Sequence, residues 1–112
     1  MKLKRLLVFV AVIGFVAASV HAQSAQPRVG SYKYETSTVL HQIYIADAGD
    51  GKYEIGISST NGTTIRVYDA RWRSGSGAIE FVHNGRTVQI RAERGGRSIS
   101  CSLFGSVILD RA

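Results

Sequence analysis

The chain is poor in the residues that usually brace or interrupt a small protein. Its 112 residues hold one cysteine, one proline, one methionine and one tryptophan. A lone Cys101 excludes an internal disulfide, so the core must suffice, or be helped by self-association or a ligand. No Gly-x-Ser-x-Gly elbow occurs, and Ser58, Ser100 and Ser102 have no base beside them in sequence. That removes the common hydrolase arrangements. Beyond residue 22 no stretch combines a three-to-four apolar period with caps at both ends, which argues against helices. No DNA- or RNA-binding motif is present, so nucleic acid is excluded as the expected partner.

What is there begins with an export pattern. Lys2, Lys4 and Arg5 precede the apolar run from Leu6 to Val20, and Val20-His21-Ala22 supplies small or apolar residues at a cleavage site. The run is shorter than the ~20 residues a spanning helix needs, and only Arg28 follows it as a basic flank. Residues 1–22 therefore read as a secretory signal peptide, 23–30 as a flexible leader holding Pro27, and 31–112 as one β-domain. The expected location is periplasmic or secreted, with no stable membrane span after cleavage. Dropping Lys2, Lys4 and Arg5 from the fourteen basic residues leaves eleven against eight acidic ones, a net +3 rather than +6. Attraction to an acidic surface stays open.

From Ser31 onward the apolar period is two. Tyr53, Ile55 and Ile57 share a face, as do Thr63, Ile65 and Val67; Ile79 and Phe81; Val88, Ile90 and Ala92; Ile99, Cys101 and Leu103; and Val107 and Leu109. Asp47–Gly51, Asn61-Gly62, Ser74–Gly77, Asn84-Gly85 and Gly95-Gly96 fall between the runs. Asn-Gly favours a hairpin turn with positive φ at both central residues. The pattern predicts an all-β fold: seven or eight short strands in a single antiparallel meander barrel or flattened barrel, with a β-sandwich as the alternative. Gly56 and Gly105 are the expected bends. The strand near 31–36, polar and rich in tyrosine, is the expected open edge.

Gly30-Ser31-Tyr32, Gly51-Lys52-Tyr53-Glu54-Ile55 and Leu109-Asp110-Arg111 resemble segments of small exported barrels of the lipocalin-like and lysozyme-inhibitor-like kind. The resemblance implies a barrel, and inhibition of a cell-wall-degrading enzyme as one version of its task. The paired cysteines common in such inhibitors are absent, and no inhibitory residue is carried over.

Cys101 shares parity with core residues and reads as a small buried hydrophobe, with an intermolecular disulfide as the alternative. His41 and His83 share parity with apolar neighbours and, with Cys101, form a remote candidate metal set at spacings that match no ligand motif. Asp47 and Asp50 flank Gly49 without the further carboxylates of a calcium loop. Glu35, Glu54, Glu80 and Glu93 alternate with core residues, and nothing singles out an acid pair. No catalytic residue, metal or cofactor is expected, and the chain does not read as an enzyme.

The stretch Arg66–Arg73 is the least bland. If its strand is regular, Arg66, Tyr68, Ala70 and Trp72 face outward, near Tyr44; a bulge near Asp69 would turn Trp72 into the core instead. Tyr44, Arg66, Tyr68, Arg71, Trp72 and Arg73 are the expected partner-binding residues, because exposed Trp, Tyr and Arg dominate interfaces. The expected function is a small exported binding protein acting on a protein or envelope polymer. The alternatives are a carrier of a small apolar ligand and an assembly factor that pairs through an edge strand.

Overall fold

The computed structural model describes residues 25–112. The signal peptide read at 1–22 lies outside the described residues. Eight strands follow one another: β1 (Gly30–Glu35), β2 (Leu40–Gly49), β3 (Lys52–Ser59), β4 (Thr64–Arg73), β5 (Ala78–His83), β6 (Arg86–Glu93), β7 (Ser98–Cys101) and β8 (Ile108–Arg111). Each pairs antiparallel with the next, and β8 returns to β1, with Tyr32 opposite Arg111 and Lys33 opposite Asp110. The result is a closed meander barrel, as the alternating pattern predicted. The expectation that β1 is an open edge is corrected. Its far side is taken by β8, and the Ala112 amide donates to the Ser31 carbonyl at 2.9 Å.

Alternation becomes an interior of stacked rows. Tyr32, Ile43, Ile57 and Ile65 lie opposite one another across β1–β4. Trp72, Ile79, Ile90 and Cys101 form a second row across β4–β7, and Ala92, Ile99 and Leu109 a third. Of these, all but Trp72 and Ala92 are buried. Ile, Val and Leu side chains, with Tyr32 and Phe81, fill a barrel of eight short strands.

Two tight turns have the expected chemistry. Asn84 (φ 52°) and Gly85 (φ 75°) join His83 to Arg86, and Asp50 (φ 56°) and Gly51 (φ 74°) join Gly49 to Lys52. Both have positive φ at both central residues. Asn61-Gly62 differs. Only Gly62 has positive φ, the Gly62 amide donates to the Ser59 carbonyl at 3.0 Å, and Asn61 Oδ1 accepts the Thr63 amide at 2.9 Å. That is a longer loop, closed by the Asn61 side chain together with backbone hydrogen bonds.

Gly56 is not the bend expected of it. Tyr44, Gly56 and Arg66 stay in continuous register. The shift comes just beyond, where Ile55 faces Val67 but Tyr53 faces Ala70, so Tyr68 and Asp69 together oppose Glu54. Both are exposed, and the inside–outside phase slips by one residue. Ala70 is therefore fully buried and Trp72 packs against the core. A regular strand would have put both outside; the bulge near Asp69 is the arrangement found.

A second departure lies after β7. The strand ends at Cys101, and Ser102–Phe104 form a single 3-10 turn. Leu103, grouped by parity with the core, is exposed. Phe104 instead covers one end of the barrel, its ring stacked on His41 at 4.0 Å and 9°. His41 also stacks on Tyr34 at 5.9 Å. At the opposite end the segment read as a flexible leader has Pro27 buried, and the Tyr32 hydroxyl donates to the Arg28 carbonyl at 2.6 Å.

Not every seam in the wall is equally sewn. β2 and β3 share eight register pairs, whereas β4 meets β5 only through Arg71, Trp72 and Arg73. Thr64–Ala70 thus have β3 on one side and, among the described residues, no partner strand on the other.

Candidate functional site

On the outer face of β1–β4, Ser31, Tyr44, Gly56 and Arg66 form a cross-strand row. Gly56 presents no side chain, so Tyr44 lies over it; a Cβ there would stand 3.7 Å from Tyr44 Cδ2. The space above Gly56 is a shallow groove of about 320 Å³, flanked by Gln42, Ser58, Thr64 and Arg66. Glu54, on the same face, holds Arg66 through Nη1 to Oε2 at 3.2 Å. The bulge turns Tyr68 outward beside them, 56% exposed. The Tyr68 hydroxyl, then the Glu54 carboxylate and Tyr44, push the Arg66 pKa further up from its ordinary value. Arg66 is thus an ion-paired cation bracketed by two tyrosines on the outer wall of the barrel.

Of the six expected binding residues, Tyr44, Arg66 and Tyr68 come together in this way. Trp72 does not join them, because the bulge turns it inward. Arg71 and Arg73 are exposed, but they lie past the bulge in a different groove of about 540 Å³, with Lys52, Asp69, Glu80 and Phe81. Two residues of the Tyr44 cluster were missed in the sequence reading. Glu54 was read only as a solvated face and Gly56 only as a bend. Their alternation with Ile55 placed both outside, and cross-strand register supplies the rest.

Glu80 anchors the second groove. Its Oε2 accepts the Ser76 hydroxyl and the Gln89 amide, each at 2.7 Å. These hydrogen bonds, Ser76 first, lower its pKa below the usual carboxylate value. A carboxylate held below its unfolded pKa contributes stability that is fully present above that value and is lost as pH falls through the folded one. Urea titrations of wild type and Glu80→Gln across pH 3–7 should therefore differ most at neutral pH and converge at the acid end. A difference constant with pH would show that the Glu80 charge adds nothing.

The remaining chemical candidates resolve into structural roles. Cys101 is 1% exposed, and burial pushes its thiol up to about 11. Its buried position matches the packing role; an intermolecular disulfide would need it at the surface. His41 Nδ1 pairs with Ser59 Oγ at 2.7 Å, a contact not foreseen, and Ser59 Oγ also accepts the Asn61 amide. Among the described residues no three His, Cys, Asp or Glu side chains gather, so His41, His83 and Cys101 do not converge. Asp47 accepts the Gly49 amide at 2.8 Å within its turn. Glu35 pairs with Lys33, Glu54 with Arg66, and Glu93 accepts from Ser100. Each of the four glutamates has its own partner.

No protein-family model, curated protein or solved structure matches this chain.

Proposed function

We propose that the chain is a small exported binding protein whose contact surface is Tyr44, Arg66 and Tyr68 on the outer wall of the barrel. The observation that carries this is their arrangement: two exposed aromatics around an ion-paired arginine, on paired strands that need no ordering when a partner arrives. The free side of β4 adds to it. A partner chain laid along Thr64–Ala70 would meet backbone donors and acceptors there, and its side chains would cross Arg66 and Tyr68. A protein partner is favoured over an envelope polymer on that ground. The assembly reading keeps its logic but moves from β1 to β4.

The carrier reading has less support, because Ile43, Ile55, Ile79, Ile90, Ile99 and Leu109 occupy the barrel interior. Inhibition of a cell-wall-degrading enzyme remains the narrower form of the proposal, suggested by the barrel resemblance alone.

The test is capture from an envelope extract after crosslinking in cells, followed by affinity measurement with the identified partner. Arg66→Ala and Tyr68→Ala should each weaken binding about 30-fold, as central interface residues do, with circular dichroism unchanged. Lysis assays on purified peptidoglycan with a lysozyme address the inhibitor form. Unaltered affinity in both folded variants would remove this surface from the proposal.

A further inference from the structure

The barrel end away from Phe104 carries a second, separate feature. The segment before β1, the β6–β7 loop and the end of β8 bring Arg28, Arg94, Arg97 and Arg111 around an open groove of about 690 Å³, which Ser98 and Asp110 also line. Four guanidiniums face one carboxylate. Asp110 is already engaged, by Arg94 Nη1 at 3.1 Å and by the hydroxyl of Ser98, a residue only 2% exposed. Arg111 donates to neutral acceptors, the Val29 carbonyl at 3.0 Å and the Tyr32 hydroxyl at 3.3 Å, and lies over the Tyr32 ring. Arg97 donates to the Arg94 carbonyl. The rim therefore keeps a surplus of three positive charges, while hydrogen bonds fix three of its four arginines.

The backbone makes room for these side chains. At Gly96 (φ +93°) an added Cβ would stand 3.3 Å from Arg28 Nε, and at Gly30 (φ +139°) 2.9 Å from Arg111 Nη1. Among the described glycines these are the two at which a Cβ meets a guanidinium. Arg94 itself is held at φ 51°, in the left-handed region where a side chain is costly, at the head of the loop. Strain and glycine together set the arginines around one groove rather than letting them disperse.

We propose that this rim binds a phosphomonoester group. Planar guanidinium forks suit the oxygens of a phosphate, and a group carrying about −1.5 to −2 charge at neutral pH matches the surplus better than a monovalent carboxylate. Either a phosphorylated lipid headgroup or a soluble phosphate ester carries that chemistry. The site is independent of the Tyr44 surface and stands whether or not that surface binds a protein.

The test is NMR titration of the isotopically labelled chain with inorganic phosphate, against sodium chloride at equal ionic strength. Saturable shifts at the side-chain Nε–H signals of the rim arginines are expected with phosphate only. Arg97→Ala should weaken binding about tenfold. Arg111→Lys, which keeps the charge and loses the fork, should weaken it too, with a melting curve to exclude misfolding. Arg86→Ala, at the start of β6 beside the turn at the opposite end, matches Arg97→Ala in net charge and should have no effect. Shifts that follow ionic strength alone, or equal losses in Arg97→Ala and Arg86→Ala, would overturn the site. Co-sedimentation with phosphatidic acid vesicles, competed by free phosphate, would assign the group to a lipid headgroup; phosphate binding without co-sedimentation would assign it to a soluble ester.

Discussion

Truncating Ile90 to alanine should remove about 2–5 kcal/mol of folding stability. Ile90 is fully buried, with Ile79 opposite it on one side and Cys101 on the other. Shortening the side chain leaves a void between two flanking strands that cannot both collapse into it, since each is held by its own pairing. A domain of this size has a total stability of roughly 4–13 kcal/mol, and no disulfide supports it. The variant should therefore populate unfolded chain at room temperature, or lose much of its urea midpoint. Ile90→Val, one methylene smaller, should cost about 0.5–1.5 kcal/mol. Val82→Ala, on the same sheet but 67% exposed, should change stability by less than about 0.5 kcal/mol. Equal effects at positions 82 and 90 in urea titrations would contradict the inside–outside assignment of β5 and β6.

Tyr32→Ala should be as damaging, at about 3–5 kcal/mol for loss of a large buried aromatic. Its reach is wider than its size. The ring is 1% exposed and sits in the row with Ile43, Ile57 and Ile65. Its hydroxyl ties the Arg28 carbonyl, accepts Arg111 and so links the segment before β1 to the closing strand β8. Tyr32→Phe separates the two roles. It keeps the packing and removes the hydroxyl, leaving the Arg28 carbonyl without this partner, at about 1–3 kcal/mol. The β1–β8 seam has only two register pairs, so amide exchange in β8 should rise in Tyr32→Phe while β2 and β3 stay protected. A uniform rise across the barrel would mean that the hydroxyl does not hold that seam.

Much of the fold was legible because alternation is a direct readout of which side is wet. Ile43, Ile55, Ile79, Ile90 and Ile99 could be placed without knowing any neighbour. Asn84-Gly85 named its own turn, since few other pairs tolerate positive φ twice. What alternation cannot carry is a slip in its own phase. Tyr68 and Asp69 are both polar enough to face water, so the sequence allowed either a regular strand with Trp72 outside or a bulge with Trp72 inside. The decision lies in β3, where Glu54 faces two residues at once. Leu103 was misplaced for a related reason. Its parity was right, but the strand stops at Cys101 and Phe104 takes the apolar role at the barrel end. The open edge was misassigned because edge status depends on closure, which only the return of β8 to β1 reveals.

The candidate surfaces were less legible. Tyr44 and Arg66 are 22 residues apart in number and become members of one row only through Gly56 between them. The arginine rim is more dispersed still, drawn from residues 28, 94, 97 and 111. Gly95-Gly96 between Arg94 and Arg97 marked a turn, and nothing in the primary structure tied that turn to the two ends of the domain.

A seam in which two long strands meet at one end only does not open at random. Because β4 and β5 hold each other at only one end, thermal breathing of this seam would begin where they part, between Ala70 and Phe81, and run toward Trp72. Water would then reach the isoleucine rows by a short lateral gate while β2 and β3 stayed locked. The lone indole would be the hinge pin of that gate, which gives the inward turn of Trp72 a dynamic meaning beyond packing.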